Sequence, residues 1–247
     1  MIVWWLFQSE AAPPEFKGCT SYSFGIGGGS HTYTRLDLSD SEVALKFLIE
    51  FAEKYGWPDI IFASPPCETW VVITVGHKWR YTTSKVFNLH YKDKNFTAND
   101  FTEALKIKRL NGENTAMTTA KVIKYFKPKY WFIENGNSSL IFHFLNVRCG
   151  MNGFLNKCSY ANYRFDVWKP TIIYSNKSLF LYSKRPNRKL NLITTGKRKN
   201  KITYASCKAK GIEVFLKDDY AGKSKVPEAL YRAIIQQLPY KDGLKVV

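Results

Sequence analysis

Acid is what this sequence is short of. Against 37 Lys and Arg it carries 20 Asp and Glu, a formal net charge of +17. That balance points to a polyanionic partner, nucleic acid or an acidic membrane surface. Cysteine pairs are missing as well. Cys19, Cys67, Cys149, Cys158 and Cys207 are odd in number and form no CxxC or other metal-type spacing. The pattern predicts no disulfide framework, no metal site and a reducing compartment. Long apolar runs are also absent. The opening "MIVWWLFQSE" is apolar for the length of one strand, has no basic stretch before it and meets Glu10 at once. It reads as neither a signal peptide nor a membrane span, which needs roughly 18 or more apolar residues. The expectation is a cytoplasmic protein with no membrane partner. No internal repeat and no clean linker is visible.

What is present suffices for a packed core. With 45% hydrophobic and 16% aromatic residues, the 247-residue chain is not a disordered one. Its length fits one substantial α/β domain or two small ones. Ile2–Phe7 reads as a buried strand. Residues 8–35 lack helical periodicity and hold Pro13-Pro14 and the run "FGIGGGS" (Phe24–Ser30), which reads as a flexible loop after no obvious strand. Ser39–Gly56 reads as an amphipathic helix, with Ser or Asp to cap it and Gly56 to stop it. Pro58–Ser64, "PDIIFAS", is a continuous apolar run of the kind covered on both faces. Residues 71–100 read as irregular. Glu113–Phe126 reads as a helix stopped by Lys127-Pro128, and Tyr130–Asn135, "YWFIEN", as a second buried strand.

This strand–helix–strand rhythm predicts a parallel α/β sheet, in which function collects at the carboxyl ends of the strands. Further on, Lys169–Asn176 and Ser178–Ser183 look like a hairpin. Lys184–Lys210 then holds ten Lys and Arg with no acid, and Ser224–Leu238 reads as a final amphipathic helix with Pro227 near its first turn.

One stretch asks for an explanation. In "IIFASPPCETW" (Ile60–Trp70) a thiol follows a Pro-Pro corner at the end of a buried strand. Alone, Cys67 reads as an inert loop cysteine, since free cysteine is among the most buried residue types. Glu134 alone reads as a capping carboxylate. Taken together, just past the ends of two neighbouring strands, they read as a presented nucleophile and an acid.

On these residues the chain resembles the DNA (cytosine-5) methyltransferases, in particular the short forms carried by phages and prophages. A Pro-Cys motif follows one strand in that family and a Glu-Asn motif the next; here they stand as "SPPCETW" and "IENG". "CSYANYRFDVWKPTIIYSN" (Cys158–Asn176) resembles the phage-type segment with the active-site arginine, placed at Arg164, which by itself reads equally as a surface arginine or a phosphate contact. "GKSKVPEAL" (Gly222–Leu230) resembles the C-terminal motif that returns to the cofactor pocket. The likeness spans roughly residues 37–238.

The resemblance implies a Rossmann-like S-adenosylmethionine-dependent methyltransferase fold with a small basic insertion. Residues 1–183 form its catalytic core, 184–223 a short DNA-contacting insertion, and 224–247 a C-terminal helix returning to the core. It implies Cys67 as nucleophile, Glu134 as the partner of cytosine N3, and Arg164 steadying the base or the carboxylate. The cofactor residues it implies are Phe7, Asp37 (with Asp40 a rival), Pro65, Pro66, Gly222, Ser224 and Val226. Asn135, His77, Arg80, Lys197, Arg198, Lys199 and Lys201 are implied on the DNA side, although His77 also reads as a solvated loop residue. Amino methylation, whose Ser-Pro-Pro motif continues with an aromatic, is disfavoured because Cys67 stands there.

The chain departs from the family at the cofactor end, where Ser9, Ala11 and Ala12 replace glycines and no second strand with a ribose-binding acid is readable. Its rivals are a non-enzymatic DNA-binding descendant and a pyrimidine-modifying enzyme with another one-carbon donor. A phage origin would make protection against restriction the natural role.

Overall fold

A computed structural model describes residues 1–7, 16–26, 33–67, 70, 98–165, 168–186 and 226–239, with 98–108 described as backbone. Seven strands form one sheet: β1 (Ile2–Leu6), β2 (Thr20–Gly25), β3 (Tyr33–Arg35), β4 (Ile60–Ala63), β5 (Tyr130–Gly136), β6 (Phe154–Ser159) and β7 (Pro170–Ser175). Their order is β3-β2-β1-β4-β5-β7-β6. The first five run parallel, and β7 is antiparallel to both of its neighbours. Up to β5 this is the doubly wound order, with the direction of winding reversing between β1 and β4.

Burial on both faces follows from the strand sequences, whose successive side chains alternate between two cores. Trp4, Leu6, Ile61, Ala63 and Ile133 join one core with three helices, α1 (Ser41–Tyr55), α2 (Ala98–Phe126) and α3 (Ile141–Val147). Val3, Trp5, Ile60, Phe62 and Phe132 join the other with α4 (Glu228–Ile235). Trp5, Phe62 and Phe132 are register partners on adjacent strands. Their rings stack at 4.5 and 4.9 Å, and Tyr231 of α4 meets Trp5 edge-on at 4.7 Å. Each such pair contributes about 0.5–1.5 kcal/mol beyond its buried area.

Four expectations need correction. A strand does precede the glycine run: β2, "TSYSFG", ends at Gly25 itself. Its alternating serines and aromatics contain no continuous apolar run, so it does not look like its neighbours. The hairpin partner of β7 is Phe154–Ser159, and Ser178–Ser183 forms no strand. The second helix starts at Ala98, not Glu113, running through Asn111 and Gly112. Packing overrides their weak propensity, which costs about 1 kcal/mol at an interior glycine. Finally, Glu134 lies inside β5, opposite Ile173 of β7, not beyond the strand's end. The helix expected over Ser39–Gly56 is α1, and the expected C-terminal helix is α4.

α1 shows how its ends are set. The Asp40 carboxylate accepts from the Glu42 and Val43 N–H groups at 3.1 Å each. Gly56 closes the helix at φ 98°, where an added Cβ would come within 2.5 Å of Ile2 Cδ1. Lys121 of α2 reaches Ser41 Oγ at 2.8 Å and pairs with Glu42, locking the helix start. Asp40→Ala should therefore lower the unfolding free energy by about 1 kcal/mol. Urea titration should show a reduced midpoint with an unchanged slope; an unaltered midpoint would mean the cap contributes nothing.

Candidate functional site

The crevice of a doubly wound sheet opens at the carboxyl ends of the strands on either side of the reversal, here β1 and β4. Phe7 follows β1 with φ 64° and packs its ring against the first core. Positive φ on a bulky residue is an outlier of the kind that gathers at functional sites. Ser64, Pro65, Pro66 and Cys67 follow β4. Pairing between β4 and β5 stops at Ala63↔Ile133, whereas β5 runs on to Gly136 against β7. The open flank of β5 beyond that point is where the Pro-Pro loop lies.

Prolines lack N–H groups, so this loop has little with which to bond to its surroundings. Asn135 supplies the bond from the other side: its Nδ2 donates to the Pro65 carbonyl at 3.0 Å, while its Oδ1 accepts from Gly136 N at 3.1 Å. Pro65 is buried, Pro66 exposed and Cys67 half-buried. Past the thiol, Trp70 N donates to the Cys67 carbonyl at 2.9 Å, and the Trp70 carbonyl accepts from Leu140 N at 3.0 Å. The Trp70 ring is fully buried and lies 5.1 Å from Phe144 of α3. The chain is therefore fixed to β5 at Pro65 before the thiol, and through Trp70 to the Cys67 carbonyl and the start of α3 after it.

Glu134 precedes Asn135, so in a strand its side chain emerges on the opposite face. It is buried, and the Tyr160 hydroxyl donates to its Oε1 at 2.6 Å. Lys169 Nζ stands 4.0 Å from the same oxygen and 4.5 Å from the centre of the Tyr160 ring. Among the described residues none donates a hydrogen bond to Oε2. Burial, reinforced by the Glu134 charge and the bond to it, holds the Tyr160 hydroxyl well above its ordinary value. Tyr160 is thus an O–H donor at every working pH. Cys158, on the neighbouring hairpin, is 2% exposed, and its thiol is pushed up to about 12, by burial first and then by Glu134.

The other expected residues divide clearly. Arg164 is exposed, with φ 62°; the cation beside Glu134 is Lys169. Asp37 is exposed two residues past β3, its Oδ1 accepting from Ser39 N at 2.8 Å. Its rival Asp40 is occupied as the α1 cap. Val226 is buried in the second core. His77, Arg80, Lys197, Arg198, Lys199, Lys201, Gly222 and Ser224 lie outside the described residues, as do Ser9, Ala11 and Ala12. Tyr160 and Lys169 were not anticipated. Their only sequence signal is an aromatic run before "WKP", and without the β5–β7 register nothing brings either to Glu134. Among the described residues there is no group of three or more metal-type ligands, and no helix is long and apolar enough to cross a membrane.

No family model matches the chain, and no curated protein does. Among solved structures it is similar to one from E. coli described as a DNA modification methyltransferase encoded within a prophage. The identity is 14% over 71% of this chain, with a TM-score of 0.36. The match spans 46% of that structure's chain, less than half its length.

The thiols should differ sharply in reactivity. Burial raises Cys19 and Cys149 above the ordinary thiol value, and Cys158 to about 12. At pH 8 a thiol at that value is ionised to about one part in ten thousand, and the thiolate is what reacts. Native iodoacetamide labelling followed by peptide mass spectrometry should modify Cys67 ahead of Cys19 and Cys149, with Cys158 last. Labelling of Cys158 at the rate of Cys67 would refute this ordering.

Proposed function

We propose that the chain is a DNA cytosine-5 methyltransferase. Its catalytic core is residues 1–183, with 184–223 a DNA-contacting insertion and 224–247 returning to the core. The observation that carries the reading is the bond from Asn135 Nδ2 to the Pro65 carbonyl. It joins the loop that presents a thiol to the strand that presents a buried carboxyl, and C5 chemistry needs those two groups together.

Cytosine C5 is too weak a nucleophile to take a methyl group unaided. Addition of the Cys67 thiolate to C6 turns the ring into an enamine-like nucleophile, covalent catalysis of the usual kind. Glu134, held through Oε1 by Tyr160, offers Oε2 to the ring at N3, where charge builds as the thiolate adds. After methyl transfer a base takes the C5 proton, the freed electron pair re-forms the C5–C6 double bond, the Cys67–C6 bond breaks, and its pair returns to sulfur as the thiolate. In duplex DNA the base must first leave the stack. Arg164, exposed and with a positive φ on the segment after Tyr160, would be available to the base or a phosphate.

S-adenosylmethionine supplies, when bound, an electrophilic methyl group on a sulfonium. Of the described residues, Phe7 after β1, with its positive φ, and Asp37 after β3, whose Oδ2 has no hydrogen bond from a described residue, are the ones that would hold such a group. The second strand, however, ends at Gly25, and Ile26 just after it is 72% exposed where an acid for a ribose is expected. That favours weakened cofactor binding, or, as the second reading, a DNA-binding descendant that has lost it.

DNA containing 5-fluorocytosine, incubated with the protein and S-adenosylmethionine, should give an adduct that survives denaturing electrophoresis. Cys67→Ala should give none. Tyr160→Phe keeps the ring and loses the bond to Oε1. Hydrogen bonds to charged groups contribute about 1.5–3 kcal/mol, so adduct formation should slow roughly ten- to a hundredfold. Calorimetry should detect S-adenosylmethionine, with Asp37→Ala removing most of the binding. No heat at millimolar cofactor with DNA present would turn the conclusion to the DNA-binding descendant; cofactor binding without an adduct would remove Cys67 as nucleophile.

A further inference from the structure

The segment from Lys177 to Ser183 is irregular, yet its backbone is held at Lys177, Leu179, Phe180 and Tyr182 by side chains from elsewhere. Leu179 N donates to Asn156 Oδ1 at 2.7 Å. Phe180 is gripped from both sides by Gln237, whose Oε1 accepts from Phe180 N at 2.7 Å and whose Nε2 donates to its carbonyl at 3.1 Å. Tyr182 N donates to the Tyr163 hydroxyl at 2.9 Å. Its carbonyl accepts from Ser159 N at 3.0 Å and from Asn162 Nδ2 at 2.9 Å, and Asn162 Nδ2 also reaches the Lys184 carbonyl at 3.0 Å. Leu179 and Leu181 turn inward against the second core. Phe180 and Tyr182, alternating with them, turn outward and are 80% and 65% exposed, their ring centres 6.0 Å apart.

These two large aromatics are held far into water on a fixed backbone, their planes 75° apart, so that the face of one ring stands beside the edge of the other. The surroundings are basic. Lys157, Lys184 and Arg185 are exposed, and no Asp or Glu occurs between Asp166 and Glu213. Aromatic faces along a positive track are what a single nucleic-acid strand requires, its bases stacking while its phosphates meet Lys and Arg. A protein partner would not explain the one-signed charge.

We propose that Phe180 and Tyr182 are a stacking platform for unpaired bases of a DNA strand; DNA, in preference to RNA, is taken from the function proposed above. The platform leads to the site through one short element, the 3₁₀ turn Tyr160–Asn162. Tyr160 binds Glu134, Asn162 holds the Tyr182 and Lys184 carbonyls, and Tyr163 just after it holds Tyr182 N. A strand lying on the two rings is thereby positioned relative to the acid, and bases freed from pairing on either side of a target have a place to rest.

The test is fluorescence anisotropy with an end-labelled, mixed-sequence 12-nucleotide DNA strand and with the blunt duplex of the same sequence, no cofactor present. Phe180→Ala/Tyr182→Ala should weaken strand binding by about tenfold or more, since each stacked base is worth that much. Duplex binding should change by less than about threefold, and the slope of log affinity against log salt should not move, because no phosphate contact is lost. Phe180→Trp should retain wild-type affinity. Circular dichroism and the thermal midpoint of the variants report the fold. Equal strand affinity in the double variant overturns the platform, as does a wild type that does not bind the strand at low salt. An equal loss on strand and duplex with an altered slope also overturns it. So does a wild-type dimer that the double variant dissociates in sedimentation, which would assign the rings to a second copy of the chain. Because the cofactor is absent, failure here leaves the adduct experiment standing, and failure of the adduct leaves this one standing.

Discussion

A single side-chain amide fixes the geometry on which the site depends. The Pro-Pro corner removes two N–H groups from the loop that carries Cys67, so that loop cannot anchor itself by donating to β5. The only strong group it can offer at Pro65 is a carbonyl, and Asn135 is the donor that meets it. That donor is available because β4 ends at Ala63 while β5 continues to Gly136. Were β4 two residues longer, its backbone would take up the flank of β5 and push the thiol away. An early strand ending, two imino acids and one asparagine together set where the thiol stands.

The continuation of β5 depends in turn on the reversed strand β7. A parallel neighbour ending where β4 ends would leave Glu134 and Asn135 without backbone partners on either side. β7 enters from the opposite direction and starts pairing at Gly136↔Thr171, at the carboxyl edge itself. The same hairpin carries the groups that surround the acid. The turn after β6 brings Tyr160, and the residue before β7 is Lys169. Burial acts on these groups in two ways. It keeps Tyr160 a permanent donor to Oε1, and it keeps Cys158, near the same carboxylate, a closed and unreactive thiol. Of the two cysteines, Cys158 lies close enough to feel the Glu134 charge and is closed off by burial, whereas Cys67 is half-buried on the loop after β4.

Legibility in the sequence followed the physics of each element. β1, β4 and β5 are continuous apolar runs because both faces are covered, and α1 announces itself through Asp40 and Gly56; these were readable. The places of Cys67 and Glu134 were readable too, since each ends or nearly ends such a run; their joint role belongs to the proposed function. β2 was hidden by its two serines, Ser21 and Ser23, whose hydroxyls have no hydrogen-bond partner among the described residues. β6 was hidden because an edge strand exposing Phe154, Leu155 and Lys157 shows no clean alternation. The apolar "SLFLYS" then looked like the hairpin partner it is not. Its alternation is genuine, but its backbone is satisfied by Asn156, Gln237, Tyr163 and Asn162 in place of a strand, and no sequence rule announces bonds between residues so far apart. Tyr160 and Lys169 were unreadable for the same reason, since their role exists only once the β5–β7 register is known.

The two irregular segments that matter are therefore built alike. Each is a stretch of chain that cannot or does not pair in the sheet. Each is held by amide or hydroxyl side chains projected from the strands and turns beside it, Asn135 for the thiol loop and Asn156, Asn162, Tyr163 and Gln237 for the aromatic segment. Regular structure alone would give the carboxyl edge a row of strand ends and no particular chemistry. Loops held by their own flexible donors would give chemistry without position. Side-chain anchors supply both, at net about 0.5–1.5 kcal/mol per neutral bond, because they bind backbone atoms whose place is set by the covalent chain. The aromatic segment is also joined to Glu134 of β5 through one turn and the residue after it: Tyr160 holds the carboxyl, and Asn162 and Tyr163 hold Tyr182. Any displacement of that turn must move the carboxyl and the aromatic face together, so the distance between them is a property of the fold and not of either loop.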